Sequence, residues 1–164
     1  MSTQGGASLR TVAPVEGERL NVVGDAVRVL ADASVSGGRC SIFEITTQPG
    51  AGPPLHRHGV DDEYFYIIEG RYTFVGDGVR REAGPGTFIR AARGSVHTYV
   101  NAGDAPGRML VITSPSGLEE PFRETHRRTA AGETLNPDSL TAIFAAFNLT
   151  IHGPPLTSGS GTHA

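Results

Sequence analysis

Short apolar runs of strand length recur along the chain, separated by breaks that contain glycine and proline. The runs are Cys40 to Thr47, Glu63 to Ile68, Tyr72 to Val75, Thr87 to Ala91, Val96 to Val100 and Met109 to Thr113. Each is rich in β-branched or aromatic residues, which suit a pleated, half-buried surface. Two weaker runs precede them, Leu20 to Val23 and Ala26 to Leu30, with Gly24-Asp25 as the turn between. Gly76-Asp77-Gly78, Gly84-Pro85-Gly86 and Ala102-Gly103-Asp104 supply positive-φ tolerance and rigid reversals. Many short strands at regular spacing predict an all-β sandwich or barrel. A helical pattern is visible only near the end, where Leu140, Ile143, Phe144 and Phe147 share a face after Asn136-Pro137-Asp138. One short C-terminal helix over about 137–148 is expected.

Alternation assigns faces within the runs. If Glu63 points inward, Phe65 and Ile67 do too, while Tyr64, Tyr66 and Ile68 face the other way. Both faces are then apolar, and the outer one needs a cover from the helix or a second copy; a homodimer is expected. Ser95 and Tyr99 share the side of His97. Between Cys40 and Thr47 the set Ile42, Glu44, Thr46 opposes the set Ser41, Phe43, Ile45, Thr47, and either can line the interior.

Composition narrows the class. At 164 residues and 38% hydrophobic content, the chain suits one domain over 11–156. Residues 1–10 and 157–164 are small and polar and are expected to be flexible tails. A formal net charge of −3 gives no positive field for nucleic acid or anionic lipid, which leaves a small molecule as the partner. Cys40 is the only cysteine, so it forms no intrachain disulfide and reads as a buried structural thiol. With no basic-then-apolar leader and no apolar stretch of spanning length, a cytoplasmic protein is expected.

The histidines carry the chemistry. His56 and His58 lie two residues apart, so on an extended backbone both imidazoles leave one face with origins about 6.6 Å apart. Glu63 follows after the turn-forming Gly59-Val60-Asp61-Asp62, and His97 comes from a later strand. Three imidazoles and one carboxylate suit a single divalent Mn, Fe, Co, Ni, Cu or Zn ion and are too nitrogen-rich for Ca or Mg. Asp61 or Asp62 can hydrogen bond a ligand histidine from behind. His126, His152 and His163 have no spaced partners and read as surface imidazoles.

Read with their glycines, these residues resemble the cupin superfamily. The pattern G-x5-H-x-H-x4-E-x6-G is met by Gly50, His56, His58, Glu63 and Gly70. The pattern G-x5-P-x-G-x2-H-x3-N is met by Gly86, Gly94, His97 and Asn101, with Ala92 in place of the proline. The resemblance implies a jelly-roll barrel (a double-stranded β-helix) whose metal ligands are His56, His58, Glu63 and His97. Stretches such as Pro53-Pro54-Leu55-His56-Arg57-His58 and Asp62-Glu63-Tyr64-Phe65-Tyr66 are similar to those of quercetin dioxygenase-like cupins. That likeness implies a dioxygenase in which Glu63 is also the base and Phe65 and Tyr99 touch the substrate. The same ligands serve a redox-neutral Lewis acid enzyme (cyclase, isomerase or lyase), and a non-catalytic binding barrel is the third reading.

Overall fold

The computed structural model describes residues 9–157; the expected tails lie outside the described residues except for 9, 10 and 157. The chain opens with a hairpin of β1 (Glu18–Val22) and β2 (Asp25–Ala31), followed by the single-turn α1 (Ala33–Ser36). Then come β3 (Ser41–Thr47), β4 (Pro54–His58), β5 (Asp62–Glu69), β6 (Tyr72–Gly76), β7 (Val79–Ala83), β8 (Phe88–Ala91), β9 (Val96–Asn101) and β10 (Gly107–Ser114). Two helices, α2 (Glu119–Ala130) and α3 (Pro137–Ala145), precede a last strand, β11 (Leu149–Pro155).

The strands form two antiparallel sheets, ordered β1-β2-β3-β10-β5-β8 and β11-β4-β9-β6-β7. They face each other as a jelly roll without joining into one closed barrel. Period-two alternation builds the interior: Phe43, Ile45, Phe65, Ile67, Phe74, Tyr99, Met109 and Val111 are all buried. On β3 this selects Ser41, Phe43, Ile45 and Thr47 as the inward set. On β5 it turns Glu63, Phe65 and Ile67 inward, while Tyr66 and Ile68 are exposed.

The expected helix is present as α3, with the Asn136 side chain accepting from the Ser139 amide and Pro137 in the first turn. A second, longer helix, α2, precedes it. α2 lacks a visible apolar stripe because polar residues share its inward face: Glu119, Pro121 and Thr125 are buried, and Phe122 packs its ring on Phe43 at 5.4 Å. Charge adds to that contact. Arg123 bonds Glu18 of β1 at 2.7 Å and Asp32 at 2.8 Å, and Arg127 and Arg128 both pair with Glu124. β7 and β11 carry weak strand signals because they are edges of their sheet, where the charges of β7 and the prolines of β11 are tolerated.

Cys40 is half-buried just before β3, less enclosed than expected. His126 is half-buried too: its Nδ1 accepts the Asn21 N–H at 3.1 Å, so it helps seat α2 on β1. His152 is exposed, and His163 lies outside the described residues. Among the described residues, no helix is long and apolar enough to cross a membrane.

Candidate metal centre

β4 brings His56 and His58 to one face, and His56 sits opposite His97 in the antiparallel pairing of β4 with β9. Glu63 arrives from β5 in the facing sheet, so the four residues meet across the interior. All four are buried, and one donor atom from each lies within 4.8 Å of the others. His56 Nε2 is 3.1 Å from His58 Nε2, and Glu63 Oε2 is 2.9 Å from His97 Nε2 and 3.2 Å from His58 Nε2.

The outer nitrogens explain this orientation. Nδ1 of His56 faces the Pro54 carbonyl at 2.8 Å, Nδ1 of His97 the Ser95 carbonyl at 3.3 Å, and Nδ1 of His58 the Asp61 carboxylate at 2.6 Å. Each Nδ1–H can donate outward, which leaves its Nε2 lone pair at the centre. Three such nitrogens and a carboxylate, buried with their donor atoms converging, are compatible with one shared cation. The donor set fits one divalent transition metal, held by His56, His58, His97 and Glu63.

Electrostatics point the same way. Burial depresses His56 to about 3, with the neighbouring His97 adding to the effect. Burial would depress His58 as well, but the Glu63 carboxylate and Asp61 overcome it and hold His58 up to about 10. For Glu63, burial would raise the carboxyl, yet His58 and His97 hold it well below the usual range. Without metal, His58 therefore carries the cluster's proton, and a metal ion must displace it.

Backbone features keep the ligands in place. Ser95 N–H donates to Ala92 O at 2.9 Å and Gly94 adopts φ 84°, so the turn before His97 closes on its glycine although Ala92 replaces proline. A Cβ at Gly52 would collide with the Tyr99 carbonyl, so only glycine lets this loop pass β9. Asn101, fully buried, donates to the Thr47 and Ala105 carbonyls and accepts from Gly103 N–H, each at 2.9 Å, pinning the end of β9.

A cavity of about 70 Å³ opens beside His56, His58 and Glu63. Phe65 and Tyr99 line it, as does a set that sequence reasoning did not assign to the site: Val22, Val23, Asp25 and Val27 from the first hairpin, and Leu118, Phe122, Phe144, Leu149 and Ile151 from the C-terminal elements. Asp25 reads as a turn residue in the sequence, yet it begins β2 with its side chain buried. Extending the alternation of Val27 and Val29 back by one step would have shown this. Phe65 also borders a second cavity of about 280 Å³ that His97, Arg81 and Arg90 line.

Comparison with known proteins accords with this geometry. Residues 43–113 match the cupin domain family. Over 111 residues the chain is 31% identical to quercetin 2,3-dioxygenase of Bacillus subtilis, covering 67% of this chain and 32% of that protein, so it spans about a third of its relative's length. The fold is similar to KdgF from Halomonas sp., with TM-score 0.61 and 18% identity over 68% of this chain and 98% of that one. It is also similar to the polyketide cyclase RemF from Streptomyces resistomycificus, with TM-score 0.57 and 23% identity over 66% of this chain and 81% of that one. Residues 43–113 of this chain therefore carry a cupin domain, and the two facing sheets, the paired motifs and the buried three-histidine, one-glutamate cluster accord with that match.

Proposed function

We propose that this protein is a metal-dependent enzyme acting on a small organic molecule, in the manner of a quercetinase-like dioxygenase. The carrying observation is the convergence of His56, His58, His97 and Glu63 beside an apolar cavity with aromatic walls. A bound transition metal supplies Lewis acidity and, for a redox-active element, access to dioxygen chemistry. The chain's own side chains do the rest. Glu63, ionised at neutral pH, takes the proton of a phenol or enol. Phe65 and Tyr99, packed edge to face at 5.9 Å and both lining the cavity, orient a planar substrate. Phe122, Phe144 and Leu118 keep water from it.

The same ligands support redox-neutral catalysis, and the fold shared with a polyketide cyclase keeps that reading in play. Elemental analysis with an oxygen-electrode screen over phenolic and diketone compounds separates the two. Iron, manganese, copper or nickel with substrate-dependent uptake supports the dioxygenase, and zinc without uptake supports the Lewis acid enzyme. A protein that neither contains nor accepts a transition metal overturns both.

The functional unit in this reading is one domain that works as a homodimer. Tyr66, Ile68 and Phe88 are exposed together on the outer face of the paired β5 and β8. Neither helix covers them, because α2 packs on β1 and α3 on β11.

A further inference from the structure

The geometry points to Asp25 as a second pole of the ligand cavity, an anchor that accepts a hydrogen bond from a hydroxyl on the substrate remote from the metal centre. This rests on the cavity being the substrate site. Asp25 borders the same cavity as His56, His58 and Glu63. It is 9% exposed, its Oδ2 accepts from the Tyr99 hydroxyl at 3.1 Å, and its Oδ1 is buried without a partner.

A buried carboxyl with an unused oxygen costs stability, and such a group is retained where a ligand completes it. The hairpin itself has no need of the side chain. Its two-residue turn closes through the backbone pairing of Val22 with Asp25, and Asn21 Oδ1 accepts the Gly24 N–H. Burial pushes the carboxyl up to about 6, against the pull of the Thr47 and Tyr99 hydroxyls, so near neutral pH it is mainly an ionised acceptor. The surrounding Val22, Val27 and Phe144 offer a ligand no competing polar contact. The lining therefore suits a small ligand that offers one oxygen to the metal and a hydroxyl donor at the far side.

Calorimetric titration of zinc-loaded protein, where redox turnover is silent, tests this with ligands matched in size: resorcinol against 3-methoxyphenol, and hydroquinone against 4-methoxyphenol. At least one diol is expected to bind about tenfold more tightly than its methoxy partner. The preference should disappear in Asp25→Leu and fall or invert in Asp25→Asn, whose amide can donate. Asp25→Asn, whose amide oxygen can still accept from the Tyr99 hydroxyl, should match the wild-type melting temperature if Asp25 is not purely structural, whereas Asp25→Leu leaves that hydroxyl buried without its acceptor and should lower it. No diol preference, no binding of any of the four, or an unchanged preference in Asp25→Leu overturns the proposal. Zinc stoichiometry measured on the same samples reports on the metal centre separately, so its loss would instead count against the metal reading.

Discussion

The short contact from Asp61 to His58 Nδ1, 2.6 Å between buried groups, sets both the ring's orientation and the proton it holds. Asp61→Asn should weaken metal affinity about 10- to 100-fold without abolishing it, measured by competition with a chelating dye. His97→Ala removes a ligand and should lower metal content much further, while His152→Ala, at an exposed site, should leave it unchanged. His126 is unsuitable as that control because it accepts the Asn21 N–H. The proton on His58 has a calculable sign. Its pKa is held up to about 10 from an ordinary 6.5, so the stabilisation is fully present below about 6.5 and is lost as pH rises toward 10. Chelator-treated protein should lose urea resistance across that window, and metal-loaded protein should lose less, since the metal has already displaced the proton.

Elements whose inward faces are apolar were legible in the sequence, and those held by polar contacts were not. β3, β5 and β10 follow the alternation rule, β6 and β9 are apolar runs buried on both faces, and α3 shows both its stripe and its cap. α2 has a weak sequence signal because, besides Phe122 and Arg123, it is docked by Glu119, which is fully buried and accepts from Ser41 Oγ, from the Ala33 N–H at 2.9 Å and from the Gly117 N–H at 3.0 Å. Little in the local pattern separates such a glutamate from a solvated one, because two of its three donors, Ser41 and Ala33, lie far away in sequence. Glu119→Ala should cost about 3 kcal/mol in urea unfolding by leaving these donors buried and unpaired; a change under about 0.5 kcal/mol would show the contact to be unimportant. The four candidate ligands were legible because their spacing matches strand geometry. The cavity walls were not, since they come from the first hairpin and the C-terminal elements, which meet only when the sheets fold together.

At the scale of the whole molecule, the matched cupin domain holds the cluster while the flanking segments shape what reaches it. The exposed Tyr66 and Phe88, 47% and 61% accessible, predict a dimer in analytical ultracentrifugation at micromolar concentration, with Tyr66→Asp/Phe88→Asp shifting it to monomer. A wild-type monomer would assign that face another role. The most direct test of the central claim is elemental analysis of untagged protein purified without chelator, followed by metal reloading. About one transition-metal ion per chain is expected, bound with proton release and largely lost in His97→Ala. Protein that stays metal-free after reloading, or binds equally well without His97, would contradict it.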